Sequence, residues 1–371
     1  MELKEYRFDE VTINFDKKRV PLSGAQREKR QGKYRYYGAQ GVIDHIDDFI
    51  FDGTYLLIAE DGENLKSKKQ NIAQVVEGQF WVNNHAHIVQ GNKLCDTRYL
   101  CYLLNSMDLS GYVTGSAQPK LSQANLNAVR LFLPPISVQN KIVEYLYMFD
   151  KKIAVNQQIN DNLQQQAAAL FANFSDRAKT EVGFTEIIQI LGGGTPKTGE
   201  SSYWNGNIPF FTPKDVGSPY TLTTEKAITE EGLAHCNSRL YPINTVFVTA
   251  RGTVGRVGLP GVPMAMNQSC YALVGKDTHQ LLVYFYTLKA VDRLKHKASG
   301  AVFDAITTRD FESEIIMKLS DDDAKDFLDV AEPIYQAVLG NSIENLRLAT
   351  LRDSLLPKLM SGEVDVSDIQ L

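Results

Sequence analysis

Residues 149–171 read FDKKIAVNQQINDNLQQQAAALF, and their apolar residues recur at alternating intervals of three and four. The same spacing extends to both sides of this stretch, beyond the Pro134-Pro135 pair. Such spacing is typical of the buried seam of a coiled coil. The seam positions are Ile142, Leu146, Phe149, Ile153, Asn156, Asn160, Leu163, Ala167, Leu170 and Phe174. The pattern predicts a helix from about residue 137 to 174, roughly 57 Å long at 1.5 Å per residue, which exceeds the roughly 34 Å of one DNA turn.

A second seam of the same kind lies 185 residues further along the chain. Its positions are Phe327, Ala331, Ile334, Val338, Asn341, Asn345, Leu348, Arg352, Leu355 and Leu359. Asparagine is costly in an apolar seam unless it is hydrogen-bonded, and a bonded pair fixes the register. If the helices pair antiparallel, Asn156 faces Asn345 and Asn160 faces Asn341. The alternative is that each helix packs only on its own domain.

Two prolines predict breaks in the second helix, because proline lacks the backbone donor and kinks a helix interior. We expect Pro333 to open a new helix after a short one that begins near Asp321 to Asp323. We also expect Pro357 to end the helix early, which would leave Leu359 at or beyond its end.

The rest of the chain is also duplicated. LSQANL from Leu121 matches ITTRDF from Ile306, VNNHAHIV around Asn84 matches AMNQSCYAL around Asn267, and YLLIAEDG around Ala59 matches VFVTARGTVG around Ala250. Short β-like runs alternate with helix-like stretches in each mixed segment, which is α+β patterning. We therefore predict an α+β fold with an internal pseudo-two-fold repeat. Its segments are 1–134 (mixed), 135–178 (helical), 179–319 (mixed), 320–362 (helical) and a tail, 363–371.

Composition is that of an ordinary soluble globular protein, with 43% hydrophobic and 22% charged residues. No apolar run is long enough to cross a bilayer, and the start, MELKEYRFDE, lacks a secretion segment. The four cysteines form no C-x-x-C pair, which argues against a zinc site or a disulfide framework. These features predict a cytoplasmic protein with reduced thiols.

Charge is distributed unevenly although the net charge is only −5. Residues 17–35 carry eight basic side chains and one acidic one, whereas residues 44–63 carry seven acidic side chains and no lysine or arginine. This segregation suits a surface with one basic face. A solvated loop explains the basic run equally well.

The stretch GGGTPKTGESSYWNG from Gly192 resembles a phosphate-binding loop only superficially. A phosphate loop needs lysine and then serine or threonine directly after its second glycine. Here Gly199 is followed by Glu200, which would repel a phosphate, and the residues beyond predict a turn instead of a helix. These glycines therefore need another explanation.

Polar and basic residues at glycine-flanked loops are candidate contacts to a nucleic acid. Arginine matches guanine, and asparagine or glutamine matches adenine, in the major groove. Each such residue has the alternative role of stabilising its own loop. The candidates in the second half are Arg251, Arg256, Asn267 and Gln268, and those in the first half are Asn83, Asn84, Gln118 and Lys120. Tyr34, Tyr36 and Tyr37 beside Lys33 and Arg35 are a candidate stacking surface or a half-buried strand.

Sequence motifs for catalysis are lacking. There is no H-E-x-x-H, G-x-S-x-G or G-x-G-x-x-G motif, and no acid/base pair of carboxylates stands out. His85 and His87 would face one way on a strand and share a metal in principle, but no carboxylate is close in sequence, so a structural role is favoured. We expect no catalytic and no metal-binding residues.

Several of these stretches resemble one family. GGGTPKTGESSYWNGNIPFFTPKDV, NQSCYAL and GSAQPKLSQANLNAVRLFLPP are similar to target-recognition domains in specificity subunits of type I restriction–modification systems. FDKKIAVNQQINDNLQQQAAALF and LRDSLLPKLMSGEV resemble the helical spacers of that family. The resemblance covers essentially the whole chain, although the first 35 residues lack the G-G-T-P opening of the second half.

The resemblance implies two target-recognition domains, each reading half of a split double-stranded DNA sequence, separated by two long antiparallel helices that form a coiled coil. It implies docking of two methyltransferase subunits and, through them, of restriction subunits. It also implies that the chain has no cofactor of its own, since S-adenosylmethionine, ATP and magnesium belong to the partners. Thr195, Lys197, Lys214 and Thr253 join the candidate DNA contacts on this basis, with Lys197 expected at a phosphate.

Two other classes compete with this interpretation. One is a non-catalytic coiled-coil adaptor with two protein- or carbohydrate-binding lobes, which the acidic net charge favours slightly. The other is a nuclease, but the sequence contains no cluster of metal-binding residues that a nuclease would need. The matched domain signatures favour the DNA-specificity interpretation over both.

Overall fold

The structure is a computed structural model, and it describes residues 2–67, 70–115, 118–217, 219–297 and 305–366. The chain forms two compact units. Unit 1 comprises Met1–Lys151 and Ala349–Leu371, and unit 2 comprises Lys152–Leu348. Each unit contains an α/β lobe and parts of two long helices. Of the predicted tail, residues 367–371 lie outside the described residues.

The lobe of unit 1 is built from short helices and strands in chain order. They are β1 (Lys4–Arg7), α1 (Phe8–Val11), β2 (Thr12–Asn14), α2 (Gly24–Glu28), β3 (Gln31–Gly38), β4 (Gly41–Ile46), β5 (Phe51–Ala59), α3 (Asn64–Ser67), β6 (Ala73–Val82), β7 (Ala86–Gly91), α4 (Thr97–Ser106), α5 (Gln123–Asn127), β8 (Arg130–Leu133) and the long helix α6 (Ile136–Arg177). Six strands form one sheet in the order β2-β7-β5-β6-β3-β4, and β1 pairs with β8. The pairing is antiparallel except between β3 and β6.

The core of unit 1 lies between this sheet and its helices. Tyr99 and Leu104 of α4 are completely buried, as is Phe8 of α1. Ile142 of α6 joins the same cluster. Aspartate caps α4, because the Asp96 carboxylate accepts hydrogen bonds from the first free amides of the helix. The apolar faces of α4 and β5 thus position the loops that follow the strands.

The lobe of unit 2 repeats this plan. Its elements are β9 (Thr180–Gly183), α7 (Phe184–Ile187), β10 (Ile188–Gly192), β11 (Trp204–Phe211), β12 (Tyr220–Thr221), β13 (Lys226–Ile228), α8 (Glu230–Ala234), β14 (Val246–Thr249), β15 (Val257–Pro260), β16 (Ala265–Met266), β17 (Cys270–Gly275), α9 (Gln280–Lys297), α10 (Thr308–Glu312), β18 (Ile315–Lys318) and the long helix α11 (Asp321–Ser361). One sheet has the order β10-β17-β14-β15-β12, a second has the order β13-β11-β16, and β18 pairs with β9. Where unit 1 uses the single strand β6, unit 2 uses β15 and β16. The aromatic core includes Phe171, Phe285 and Phe327.

Equivalent backbone bonds demonstrate the repeat. Leu121 N–H donates to the Glu60 carbonyl at 2.8 Å, and Ile306 N–H donates to the Ala250 carbonyl at 2.9 Å. The match of the segments beginning at Leu121 and Ile306 is therefore confirmed. The structural equivalent of Ala250 is therefore Glu60. The sequence comparison of the two halves pairs Ala250 with Ala59, one residue earlier.

The same one-residue correction applies to the asparagines. Asn83 N–H donates to the Tyr37 carbonyl at 3.0 Å, and Asn267 N–H donates to the Phe211 carbonyl at 2.9 Å. Asn83, and not Asn84, is thus the equivalent of Asn267. Two asparagines are adjacent in the first half, so the sequence alone does not determine which of them aligns with Asn267.

The two long helices are hydrogen-bonded to each other in unit 2. Asn156 Nδ2 donates to Asn345 Oδ1 at 2.9 Å, and Asn341 Nδ2 donates to Asn160 Oδ1 at 2.8 Å. These are the pairs that the antiparallel alignment predicted. Every seam position of both helices is buried or half-buried. The coiled-coil pattern is therefore confirmed.

The helices also pair in unit 1, where Arg352 of α11 forms an ion pair with Asp150 of α6 at 2.5 Å. Ile142, Leu146 and Leu359 are buried in the core of the same unit. The helices consequently pack both on each other and on the lobe, so the alternative in which each helix packs only on its own domain is wrong.

The predicted breaks at Pro333 and Pro357 are wrong, because α11 is continuous from Asp321 to Ser361. Both prolines are exposed, and so are Asp329 and Asp353, four residues before each. A carbonyl that loses its helical partner on an exposed face is hydrated by water. The buried seam residues on the opposite face keep the helix intact across both prolines.

Candidate nucleic-acid interface

The glycines of the GGGTPK stretch allow two backbone segments to pack closely. A Cβ on Gly193 would lie 2.1 Å from the carbonyl oxygen of Asn267, and one on Gly194 would lie 2.6 Å from the amide nitrogen of Asn237. Gly194 N–H donates to the Met266 carbonyl at 3.1 Å. After Gly199 the chain forms a single 3₁₀ turn, Ser201–Tyr203, and then β11. The glycines therefore serve close packing, and no helix follows that would bind a phosphate.

Four loops of unit 2 meet through hydrogen bonds, and we call them the unit 2 edge. They are residues 193–203, 212–217, 250–256 and 267–269. Thr195 Oγ1 donates to Gln268 Oε1, which joins the first loop to the last. Arg251 N–H donates to the Ser269 carbonyl at 3.3 Å, which joins the third loop to the last.

The third loop is held by a buried threonine. Thr249 Oγ1 donates to the Thr253 carbonyl at 2.5 Å and accepts from Arg256 N–H at 2.9 Å. Thr253 Oγ1 in turn donates to the Pro213 carbonyl at 3.2 Å, which joins the second and third loops. Gly252, in the third loop directly after Arg251, has φ +82°, a conformation that favours glycine. The tip that carries Arg251 is therefore positioned by its own loop.

These loops carry four exposed cationic side chains. Lys197, Lys214, Arg251 and Arg256 are exposed, and none forms an ion pair with another described residue. Arg256 follows Gly255, which packs against Lys295 of α9. These four cations thus have no ion-pair partner among the described residues, while the same loops also carry Glu200 and Asp215.

Asn267 and Asn83 stabilise turns. The Asn267 carboxamide oxygen accepts from Ser269 N–H at 3.0 Å, and that of Asn83 accepts from His85 N–H at 2.8 Å. Asn83 is only 7% exposed. Reading a base through Asn83 is therefore inconsistent with its position, while Asn84 next to it is exposed.

The corresponding edge of unit 1, formed by residues 60–64, 83–85 and 118–121, carries charges of both signs. Lys120 Nζ lies 3.3 Å from Glu60 Oε1, and Arg19 Nη1 lies 3.0 Å from Glu60 Oε2. Arg19 also donates to the carbonyl of Ala86 at 2.7 Å. Gln118 is exposed. Arg19 and Glu60 were missed from the sequence, because they are 41 residues apart and only the fold brings them together.

The tyrosine run does not form a stacking surface. Tyr36 is completely buried, and its hydroxyl accepts from Leu22 N–H at 2.9 Å. The prediction of a DNA contact at Tyr36 is therefore wrong, and the half-buried strand is the correct alternative. Lys33 and Arg35 are exposed on β3, with the Arg35 guanidinium donating to the Glu77 carbonyl at 2.8 Å.

The basic and acidic runs neutralise each other in part. Arg27 Nε lies 2.9 Å from Asp44, and Arg30 lies 2.9 Å from Asp47. The β3–β4 pairing brings the two runs together, so charges that are separate in sequence are adjacent in space. Lys17, Lys18, Lys29, Lys33 and Arg35 of the basic run remain exposed, so one basic face on this part of unit 1 stays a prediction.

The two histidines have separate partners. His87 is buried, with Nδ1 2.6 Å from Asp16 Oδ2 and Nε2 2.8 Å from the Leu121 carbonyl. Burial alone raises the pKa of the Asp16 carboxyl, but hydrogen bonds from His87 and Ile88 outweigh it and hold that pKa below its usual value. The two ring nitrogens of His87 therefore link Asp16 to the Leu121 carbonyl. The favoured structural role of His87 is consistent with this geometry.

The structure also bears on metal binding and on membrane insertion. Across the described ranges, no three His, Cys, Asp or Glu side chains are grouped as ligands for a metal. The helices of those ranges include none with the length and apolar character of a membrane span.

Comparison with known proteins identifies the family. A family model for the type I restriction modification DNA specificity domain matches residues 2–165 and 179–318. The MjaIX type I restriction enzyme specificity subunit of Methanocaldococcus jannaschii is 32% identical over 124 residues, which cover 32% of this chain and only 29% of that protein. The HindI type I restriction enzyme specificity subunit of Haemophilus influenzae is 22% identical over an alignment of 401 positions covering 84% of each chain.

A solved structure supports the fold. The crystal structure of a type I restriction–modification system S subunit from M. genitalium superposes with a TM-score of 0.59 over 97% of this chain and 96% of that one, at 14% identity. The two matched domain segments correspond to the two lobes described above. The chain therefore belongs to the family of type I restriction–modification DNA specificity proteins, as its sequence motifs indicated.

Proposed function

We propose that this chain reads a bipartite target in duplex DNA, one half-site with each lobe, and fixes the gap between the half-sites with its helix pair. The observation that carries this proposal is the unit 2 edge, where four loops meet and present cations that form no ion pair with any residue the structure describes. Lysine and arginine at loop tips bind phosphates, and arginine and glutamine donate to base edges. Lys197 and Lys214 are assigned to phosphates, and Arg251 and Gln268 to bases.

The chain docks two methyltransferase subunits on its long helices, and restriction subunits join through them. Exposed apolar side chains on the helices of each unit support this part of the proposal. In unit 2, Val155 and Ile159 lie one turn apart on α6 and are 41% and 42% exposed. In unit 1, Met148 is 51% and Leu351 48% exposed. Apolar patches rimmed by polar residues are typical of protein interfaces, and one patch in each unit suits two copies of a partner.

The chemistry belongs to the partners in this proposal. The chain supplies specificity without catalytic residues or a cofactor of its own, and the docked subunits use S-adenosylmethionine, ATP and magnesium. We place the assembly in the cytoplasm, where duplex DNA is accessible to it.

Binding to duplex DNA as a function of salt tests the proposed function. The full chain with its methyltransferase partner is expected to bind a cognate duplex with an affinity that falls steeply as salt rises, because phosphate contacts release counterions. Six phosphate contacts would weaken binding about a thousandfold between 50 and 200 mM salt. Binding to carbohydrate or protein ligands, with no salt-dependent binding to duplex DNA, would support the adaptor alternative instead.

Substitution of Arg251 tests the assignment of one half-site to one lobe. Arg251→Ala is expected to weaken discrimination at one position of the half-site read by unit 2 by about 5- to 150-fold, since a bidentate contact contributes about 1–3 kcal/mol. The half-site read by unit 1 should stay unchanged. Sequencing of duplexes selected from a randomised pool measures both, and loss of preference in both half-sites together would contradict the assignment. Lys276→Ala is a matched control, because Lys276 is engaged with the Thr185 carbonyl and lies outside the unit 2 edge.

A further inference from the structure

Asp61 in unit 1 occupies the backbone position that Arg251 occupies in unit 2. Asp61 forms an isolated β-bridge with Lys120, and Arg251 forms one with Ala305. Each is followed by a glycine with positive φ, +126° at Gly62 and +82° at Gly252. The sequence alignment of the two halves conceals this equivalence, because that alignment is shifted by one residue in this loop.

The preceding residues confirm the equivalence. Glu60 N–H donates to the His85 carbonyl at 2.9 Å, and Ala250 N–H donates to the Ser269 carbonyl at 2.8 Å. Both residues thus begin the loop after the central strand, β5 or β14, beside the turn that starts β7 or β17. The two lobes therefore present opposite charges from the same place in the fold.

One oxygen of the Asp61 carboxylate has no hydrogen-bond donor among the described residues. His85 Nδ1 lies 2.8 Å from Asp61 Oδ2, and among the described residues no donor is bonded to Oδ1. The side chain of Asp61 is 22% exposed and that of His85 52%. One oxygen is thus held in place by the protein while the other remains available at the edge.

A carboxylate at an edge that binds DNA is selective about what it contacts. Phosphates repel it, and the keto and ring-nitrogen acceptors of guanine offer it no hydrogen. The major groove offers two amino donors, N6 of adenine and N4 of cytosine. Adenine presents its N7 acceptor beside N6, and that acceptor repels a carboxylate, so N4 of cytosine is the donor that aspartate and glutamate accept from.

We propose that Asp61 is a specificity-determining residue of unit 1, which accepts a hydrogen bond from the N4 amino group of a cytosine in one half-site. This inference rests on the proposed function and assigns unit 1 a base chemistry opposite to the guanine chemistry of Arg251. His85 is a positioning residue that fixes the carboxylate.

Selection of duplexes with randomised bases by the full chain and its methyltransferase partner tests the proposal. The unaltered chain is expected to select cytosine at one position of the half-site that Arg251→Ala leaves unchanged. The Asp61→Asn variant keeps a side-chain oxygen that can accept a hydrogen bond from His85, so the fold of the loop should be retained. It loses the negative charge and replaces the second carboxylate oxygen by an amide donor. It is expected to lower the preference for cytosine by about tenfold at that position alone. Asp61→Arg is expected to change the preferred base to guanine.

Asp52→Asn is the matched control, because Asp52 lies at the other end of β5, roughly 30 Å away at 3.3 Å per residue. It should change no base preference. A chain that selects a bipartite site, but whose Asp61→Asn variant keeps every base preference, would overturn the inference and leave the proposed function standing. A change in the half-site of Arg251 would overturn it as well. An unaltered chain that selects no sequence would overturn the proposed function and this inference together.

Discussion

Four residues inserted in both long helices, after Lys151 in α6 and after Leu348 in α11, are expected to change the gap between the half-sites. The insertions fall at the boundary between the two units. Each lengthens its helix by about 6 Å at 1.5 Å per residue, roughly two base pairs at 3.4 Å per step. Under the proposed function, the original target should then engage one lobe at a time and bind on the order of a thousandfold more weakly, the lower end of the usual difference between specific and non-specific binding.

A series of duplexes with the same half-sites and different gaps measures this effect. The unaltered chain should bind its own gap best, and the lengthened chain should bind best when the gap is about two base pairs longer. The half-site sequences should be the same for both. An unchanged preferred gap in a folded, lengthened variant would show that the helix pair does not set the spacing.

Asn160→Leu is expected to destabilise the helix pair by about 1–3 kcal/mol, because it leaves the carboxamide of Asn341 without its partner. Asn160 is only 6% exposed, and besides accepting from Asn341 it donates to the Val338 carbonyl at 3.3 Å. Hydrogen exchange of the α6 segment around Asn160, followed by mass spectrometry, measures the loss. Gln157→Leu, at an exposed position of the same helix, is the control.

The double variant Asn160→Leu with Asn341→Leu separates stability from register. Replacing both partners of a buried polar pair by apolar residues is often neutral or stabilising. We therefore expect the double variant to regain most of the lost protection. Wild-type exchange in the single variant, or no recovery in the double variant, would contradict a role of this pair in fixing the register.

The helix pair was the most predictable feature of the fold. Its three-and-four spacing determines which side chains are buried, so the sequence alone assigns Asn156 and Asn160 to their partners. The prolines were not predictable by the same rule. Pro333 and Pro357 are tolerated because each lies on an exposed face, and exposure depends on packing that a local rule does not include.

The candidate site was predictable only in part. Exposed loop tips such as Lys197 and Arg251 followed from glycine-flanked motifs, whereas Tyr36 and Asn83 proved to be buried. Alternation along a strand does not reveal which face another segment covers. The ion pairs that link residues 17–35 to residues 44–63 depend on strand pairing, so they could not be inferred from the separation of charge in the sequence.

Asp61 illustrates the value of structural equivalence within a repeat. Its sequence context suggested only an acidic loop, since it belongs to the run of seven acids. Bridges at equivalent positions relate it to Arg251, and the proposed contact with cytosine follows from this position together with its charge.

Sequencing of the DNA sites that this chain selects or causes to be methylated, with its methyltransferase partner present, is the most direct test of the central claim that two lobes read two half-sites. The predicted result is two short blocks of specified bases separated by an unspecified gap of constant length. A single continuous block, a gap of variable length, or no base preference would contradict it.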